Sequence, residues 1–526
     1  MTRQRRIVDP VDSRAVIANQ DREGDGEATP ERAATGRDLQ VTLDTPLPAS
    51  LPVDSGTAIF LIGSCFHLRE PVHGLEILVD GVPHPSRACR MPRPDLSRSR
   101  QPASRSHRSG FWATIPIEGR DRPGAVGLGA AARLASGERV VAMLGRIPIV
   151  EPREHPSYEG LPTDRDLIAI CMATFEPVLT LFRRQIESLR AQTDASWICL
   201  ISDDCSRPER FDEILHTVAG DRRFVVSRSP RRLGFYRNFE RALGMVPREA
   251  ALVALCDQDD RWYPEKLEVL RGALAGAELV YSDQRLVDAE GRVLRETLWE
   301  GRRNNHTNIA SLLVANTVTG AATLFRREVA ERALPFPDPP GWQFHDHWLG
   351  LVALAMGDVA YVPRPLYDYV QHADAIFGDV SGGGEASATT QPSGWRVRLQ
   401  RWRSLMTRWR AAYFYGYLGR AVQAEALLAR SLAVTPRKRR ALRRFASSDR
   451  SPVTFAWLAI RPLRAVVGRN ETLGSEAQLA TGILWRWLIG IAARLSAAGR
   501  FQAVDASPPG LEWFEQTRLR RWRAGR

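Results

Sequence analysis

Two rhythms of apolar and polar positions divide the chain. From residue 39 to about 150 the apolar runs are short and strand-like. Leu39-Gln40-Val41-Thr42-Leu43 alternates, 58–62 is continuously apolar, and 75–79 stops at the turn pair Asp80-Gly81. The runs 111–117 and 140–144 extend the series without any helical period. Short strands punctuated by Gly and Pro predict a β-sandwich-like domain over 39–150. Within it, the Arg-, Ser- and Pro-rich stretch from Arg90 to Gly110 reads as a long exposed loop.

The rhythm changes after a linker at 152–166. Strand-like runs at 166–172, 197–202, 223–226, 251–256 and 279–282 alternate with helical ones at 179–189, 209–218, 235–243 and 264–274. Alternating elements of this kind predict a Rossmann-like α/β domain over 166–380, with a mainly parallel sheet covered on both faces. Ligands of such sheets bind beyond the carboxyl ends of the strands. Residues 381–394 are Gly-, Ser- and Thr-rich and read as a break, after which 395–526 reads as α-helical. Trp395, Trp402 and Trp409 recur every seven residues with Leu399 and Met406 between them, the spacing of a helix–helix seam. Residues 1–38 are too polar to bury a core and are expected to be a disordered tail.

Composition adjusts this outline. A chain of 526 residues exceeds one ordinary core, and 44% hydrophobic with 25% charged residues argues against wholesale disorder. The net charge of +13 is unevenly spread: 395–526 holds 26 Arg and Lys against 7 Asp and Glu, so the remainder is mildly acidic. Two readings of the basic helices stand open. They rest on anionic lipid as a peripheral membrane contact, or they pack on the central domain with Arg on the wet face. No recognised nucleic-acid module accompanies them, so no nucleic-acid partner is expected. The six cysteines form no C-x-x-C pair and several sit in apolar runs, which suits a reducing compartment without disulfides or zinc. No run of 18 uncharged apolar residues suggests a membrane span, and the basic start lacks an apolar signal region. A cytoplasmic location is expected, peripheral on the inner membrane face if the basic helices touch lipid.

Candidate chemistry lies at predicted strand ends. Asp203-Asp204 follows 198–201, Asp257-Gln258-Asp259-Asp260 follows 252–256, and Asp283 follows 279–282. Carboxylates at the carboxyl ends of neighbouring parallel strands converge on one crevice, where their repulsion calls for a cation or for ligand donors. Hard oxygen donors suit Mg2+ or Mn2+, which hold diphosphates. The bland alternatives are helix capping for Asp203-Asp204 and Asp346, and a solvated turn for 257–260.

These residues, taken in order, resemble the inverting glycosyltransferase family 2 of GT-A fold, above all its bacterial rhamnosyltransferase-like members. The resemblance covers 166–378. It runs through Ala173-Thr174-Phe175, Ser202-Asp203-Asp204-Cys205-Ser206, Leu233-Gly234 to Arg237-Asn238-Phe239, and the long block Cys256-Asp257-Gln258-Asp259-Asp260-Arg261-Trp262-Tyr263-Pro264-Glu265-Lys266-Leu267. Thr319-Gly320-Ala321-Ala322, His345-Asp346-His347-Trp348 and Tyr369-Val370-Gln371-His372 through Gly378 complete it. Cys205 stands where the family has Gly, and Val370 where Arg is common. The resemblance implies a nucleoside diphosphate sugar donor contacted by Thr174, Asp203, Asp204, Arg237, Asn238, Asp257 and Gly320. It also implies Mg2+ or Mn2+ held by Asp257 and Asp259, with His372 as a further candidate ligand, and Asp346 as catalytic base. The acceptor implied is a glycan or a lipid-linked sugar in cell-surface polysaccharide synthesis. A sugar nucleotidyltransferase and a catalytically silent glycan-binding scaffold are the rival readings.

Overall fold

The computed structural model describes residues 32–36, 38–93, 108–159, 166–299, 302–341, 343–371, 404–430 and 432–495. Ten strands precede the linker: β1 (Arg32–Gly36), β2 (Leu39–Leu43), β3 (Leu51–Pro52), β4 (Thr57–His67), β5 (Val72–Val79), β6 (Val82–Pro85), β7 (Ala88–Met91), β8 (Gly110–Ile117), β9 (Gly124–Leu134) and β10 (Arg139–Val150). They form two five-stranded sheets, ordered β1-β2-β4-β8-β7 and β3-β10-β9-β5-β6. Leu61, Ile77, Ile115, Ala130 and Ile147 from both sheets share one core. β1 falls inside the expected tail; it pairs antiparallel with β2 through main-chain bonds, which need no apolar side chain. Most of the expected 90–110 loop, 94–107, lies outside the described residues, and Arg90 belongs to β7.

The continuous apolar run 58–62 has a physical reason. All of β4 is buried, with Ile59 and Leu61 facing the two-sheet core while Ala58, Phe60 and Ile62 face the main core of the protein. There Phe60 and Trp112 meet Phe414, with ring centroids 6.5 and 5.1 Å apart. Phe414 belongs to a π-helical segment, Ala412–Leu418, that leads into the helix Gly419–Ala429. The helix Ser475–Leu495 crosses this segment at Gly482, where a Cβ would lie 2.5 Å from the Tyr413 amide. Trp409 and Met406 pack partly buried on the main core, while Trp395 and Trp402 fall outside the described residues.

The central sheet contains β11 (Leu167–Thr174), β12 (Trp197–Asp203), β13 (Phe224–Arg228), β14 (Ala250–Cys256), β15 (Arg261–Trp262), β16 (Leu279–Asp288), β17 (Val293–Arg295), β18 (Thr323–Arg326) and β19 (Val359–Gln371). Their order is β13-β12-β11-β14-β18-β16-β19-β15, with β17 on β16. β13, β12, β11 and β14 are parallel, as helical crossovers dictate. The sheet as a whole is mixed rather than mainly parallel. β18 enters between β14 and β16 antiparallel to both, reached through the short helix Ile309–Val314 and a 3-10 turn. β16 and β19 return to parallel pairing, and β15 closes antiparallel on β19. β11, β12 and β14 carry almost wholly buried side chains, the signature of a sheet covered on both faces. Among the described residues no helix is long and apolar enough to cross a membrane.

Candidate active site

β11, β12 and β14 run the same way, so Thr174, Asp203 and Asp257 emerge on one rim. Thr174 Oγ1 donates to Asp203 Oδ1 at 3.2 Å. Asp203 also accepts from Ser206 Oγ (2.6 Å) and from Ser206 N (2.9 Å). Burial raises its pKa, opposed by those bonds and by Arg228 at 3.8 Å. Asp204 faces away and accepts from Leu233 N (2.5 Å) and Gly234 N (2.8 Å), fixing the entry to the helix Phe235–Leu243. Both carboxylates thus organise backbone turns. Between them and Ser206, Cys205 takes φ 62°, a left-handed conformation that favours glycine.

Asn238 is buried against the same strand ends. Its amide donates to Ser202 O (2.8 Å) and Thr174 O (3.3 Å), and its oxygen accepts from Ser202 Oγ (2.6 Å). Its side chain therefore splices β11 to β12. Arg237 is engaged elsewhere: it pairs with Glu240 (2.6 Å) and Asp338 (3.2 Å) and donates to Phe336 O (3.1 Å). The cations beside Asp203 and Asp204 are instead Arg228 and Arg241, neither of which stands in a family motif.

The turn after β14 concentrates negative charge. Gln258 is pinned to the end of β11, accepting from Phe175 N (2.9 Å) and donating to Phe175 O (3.2 Å), which leaves the carboxylates on either side of it to the crevice. Asp257 is half-buried, and its pKa is pushed up to about 7 by burial, then by Asp259 and Asp346. Asp260 is wholly buried; burial, then Asp257 and Asp259, raise its pKa well above the ordinary carboxylate value. Val370 N donates to Asp260 Oδ1 (3.2 Å), while Oδ2 has no hydrogen-bond partner. The cation facing this group is Lys266, buried 3.5 Å from the centre of the Trp262 ring and donating to Ala321 O. Burial lowers the Lys266 pKa to about 7. The sequence offered a signal for it: Lys266 is one of two lysines among 73 basic residues, and only Lys, not Arg, sheds its charge readily when buried.

Asp346 lies in the first turn of the helix His345–Met356. It accepts from His347 N (2.6 Å), Asn316 Nδ2 (3.0 Å) and Gly320 N (3.3 Å). Burial still raises its pKa to about 7, the three donors opposing. A Cβ on Gly320 would stand 2.7 Å from His345 Nε2 and 3.4 Å from the Asp346 Cβ, so this position requires glycine. His345 stacks on Phe239 at 3.6 Å, and both its ring nitrogens are buried without a partner.

The structure therefore brings Asp259 and Asp346 each within electrostatic reach of Asp257, with Thr174 and Asp203 at the ends of the neighbouring strands. Asp283 does not join them. β16 continues through it, and its carboxylate accepts from Gln284 N (2.7 Å), Leu298 N (3.1 Å) and Thr297. His372 lies outside the described residues; it follows directly on β19, whose Val370 is bonded to Asp260.

The donor set fits a hard divalent cation: carboxylate oxygens, excess negative charge, a buried carboxylate oxygen without a partner, and one cation of lowered pKa. Among the described residues no three His, Cys, Asp or Glu side chains form a complete metal cage. A cation here would take its remaining ligands from water or substrate phosphates, the usual habit of Mg2+.

Residues 170–334 match the family model described as Glycosyl transferase family 2, from within β11 to the end of the helix Arg327–Ala333. Asp346 lies beyond the matched stretch. Comparison with curated proteins gives no match. Among solved structures, the chain is similar to TarS 1-349 of S. aureus in complex with UDP-GlcNAc, at 15% identity and TM-score 0.36, covering 65% of this chain and 95% of that one. It is also similar to the mannosyltransferase PcManGT of Pyrobaculum calidifontis in complex with GDP-Man and Mn2+, at 14% identity and TM-score 0.33, covering 63% and 88%.

Proposed function

We propose that the central domain transfers a sugar from a nucleoside diphosphate sugar to an acceptor hydroxyl, inverting the anomeric carbon. The observation that carries this reading is Asp257 at the end of β14, with Asp259 beside it and Asp346 within electrostatic reach, on the rim where β11 and β12 also end. The family 2 match over 170–334 supports sugar transfer as the reaction class.

In this reading the nucleoside lies along the ends of β11 and β12, beside Thr174, Asp203 and Asp204. Asn238 acts by holding those strand ends together, and Arg237 by fixing the 336–338 loop. Asp257 and Asp259 would hold Mg2+ or Mn2+ at the donor diphosphate, with His372 as a further ligand. When bound, the cation supplies Lewis-acid neutralisation of the leaving diphosphate. Gly320, lacking the Cβ that would meet the His345 ring, packs close enough for its amide to hold Asp346.

Asp346 takes the proton of the acceptor hydroxyl while the hydroxyl oxygen bonds to the anomeric carbon. The bond from that carbon to the diphosphate oxygen breaks, and the nucleoside diphosphate leaves. A carboxylate with its pKa near 7 is matched to accepting a proton at neutral pH. Asn316 and the Gly320 amide hold its orientation. One displacement needs no enzyme nucleophile and inverts the centre. The resemblance to rhamnosyltransferase-like proteins favours a rhamnosyl donor, with a glycan or lipid-linked acceptor in cell-surface polysaccharide synthesis. A silent glycan-binding scaffold would have no use for Asp257 set against Asp259 and Asp346 at the strand ends.

The test is a panel of nucleoside diphosphate sugars incubated with the protein, with and without Mn2+, scored for release of nucleoside diphosphate and for the anomeric configuration of the product. Metal-stimulated release with an inverted product is expected. A retained anomer, or formation of a sugar nucleotide from a nucleoside triphosphate, would overturn the reading.

A further inference from the structure

The helices after residue 432 carry a surface of inverted polarity. In the segment Arg461–Val467 no residue is buried. Leu463, Val466 and Val467 are 67%, 83% and 73% exposed. The two arginines of the same segment turn inward. Arg461 donates to Ser311 Oγ (2.8 Å) and pairs with Glu476 (3.2 Å); Arg464 donates to Ser311 Oγ (3.0 Å) and pairs with Glu471. A water-facing segment normally does the reverse, keeping guanidinium groups outside and aliphatic groups inside. Here the charges anchor the segment to the helix Ile309–Val314 of the central domain, and the aliphatic groups are what it presents.

The apolar face continues on both neighbours, which pack against this segment. The helix Pro452–Ala459 buries only Leu458, and exposed Val453 and Ile460 mark its two ends. On Ser475–Leu495, Leu484, Leu488 and Ile491 are exposed at a spacing that sets them on one stripe. Single exposed aliphatic residues are ordinary in a folded protein; a concentration of this kind marks an interaction surface.

Charge selects the occupant. Between residues 432 and 492 the acidic side chains are Asp449, Glu471 and Glu476, and all of them are buried. The exposed charges of the same stretch are Arg437, Arg440, Arg443, Arg444, Arg450 and Arg469. Exposed aliphatic groups on a stretch whose exposed charges are all positive match the interface of an anionic bilayer, where aliphatic groups enter the headgroup layer and guanidinium groups meet phosphate. A cavity of about 340 Å³ lined by Arg450, Arg486 and Trp487, with Asp449 and Pro452, opens at the foot of the Pro452–Ala459 helix and has room for a phosphate group.

We propose that this face is a membrane contact of the in-plane kind, inserting Leu463, Val466 and Val467 into an anionic leaflet. The contact is independent of the transfer chemistry, and vesicle binding is read without any sugar donor, so its failure leaves the proposed reaction standing.

The experiment is cosedimentation of the full chain with vesicles of phosphatidylcholine alone or with roughly a third phosphatidylglycerol. Binding to the anionic vesicles should exceed binding to the neutral ones by about 10-fold or more. The double variant Val466→Asp/Val467→Asp should lose about 10-fold of that binding while keeping the wild-type melting temperature and elution volume. A second variant, Arg443→Gln/Arg444→Gln, should lower binding to anionic vesicles and leave weak binding to neutral ones unchanged. Absence of wild-type sedimentation, or equal sedimentation of the Asp variant, would overturn the proposal. So would a wild-type dimer that the Asp variant converts to monomer, since the face would then belong to a second copy of the chain.

Discussion

Two of the places where the protein buries charge are treated in opposite ways. Where the amino-terminal sheets meet the carboxy-terminal helices, Arg87 is fully buried and each carboxylate has an arginine beside it, although Glu425 Oε2 has no hydrogen-bond partner. Arg87 pairs with Asp449 (2.6 Å) and Glu425 (2.6 Å), and its Nε donates to Thr114 Oγ1 (2.6 Å). Asp449 in turn accepts from Tyr413 (2.9 Å) and Tyr417 (3.1 Å), and Trp487 Nε1 donates to its carbonyl (2.7 Å). Burial would raise the Asp449 pKa, but Arg87, Arg486 and Arg450 overcome it and hold the carboxyl below its ordinary value. At the rim of the central sheet the balance is reversed. Asp257 and Asp346 are driven up to about 7, Asp260 keeps an oxygen without a partner, and Lys266 is itself pushed down to about 7. The first cluster sets each carboxylate against an arginine. The second, with Asp257 and Asp346 driven up, is incomplete on the proposed reading until a ligand joins it.

This contrast can be broken most forcefully by mutation. Asp346→Asn is isosteric and removes the proposed base, so kcat should fall by roughly 10³-fold while the melting temperature holds or rises. Normal turnover in that variant, measured by nucleoside diphosphate release, would remove Asp346 from the reaction. Arg87→Ala removes one partner of the first cluster and leaves Asp449 buried with its charge poorly balanced. It should cost about 3–5 kcal/mol in denaturant unfolding. A loss below about 1 kcal/mol, the scale of a surface pair, would show that the network is not holding the domains together.

The two clusters should also respond to pH with different signs. In the folded, ligand-free protein Asp257 and Asp346 hold protons up to about pH 7, whereas in the unfolded chain they release them near the ordinary 3.8. The folded state therefore binds more protons between those values, and stability from these groups falls as pH rises through that window. Lys266 acts oppositely above it: the unfolded chain keeps that proton to about 10.5, the folded protein only to about 7, so its contribution grows with rising pH. Melting temperature should pass through a shallow minimum near neutrality, flattened in Asp257→Asn. Asp449, with its pKa lowered, loses its contribution only at pH below the ordinary 3.8 and adds no slope here. A smooth maximum near pH 7 that is unchanged in Asp257→Asn would contradict this assignment.

The smallest effect expected is at Cys205. Its left-handed backbone, φ 62°, relieves strain only if the residue lacks a Cβ, so Cys205→Gly should stabilise by about 0.5–1 kcal/mol without altering turnover. Destabilisation would mean that its contact to the Pro230 carbonyl, 3.7 Å, outweighs the strain.

What the sequence made legible follows the same division. The helix Phe235–Leu243 and the strands β11, β12 and β14 stand within a residue or two of expectation, because a sheet covered on both faces leaves unbroken apolar runs. The acids at 257–260 and Asp346 were legible because each follows directly on, or opens, such a run. The antiparallel insertion of β18 was not, since pairing direction depends on a connection rather than on composition. Asp283 read as a strand end because β16 turns polar there, yet main-chain pairing carries the strand on to Asp288. Arg237, expected at the donor, is paired with Glu240, one helical turn away, and with Asp338. The Arg87 cluster could not be read at all: its partners lie 338 and 362 positions along the chain.

The most direct measurement is calorimetric titration of Mn2+ into the protein in the presence of UDP, GDP or dTDP, repeated on Asp259→Ala and Arg87→Lys. At least one nucleoside diphosphate should bind in a metal-dependent manner, with Asp259→Ala weakening that binding by about 10-fold or more and Arg87→Lys leaving it intact. Metal-independent binding of every nucleotide, or binding that Asp259→Ala leaves unchanged, would contradict the claim that the incomplete cluster is finished by a cation and a diphosphate.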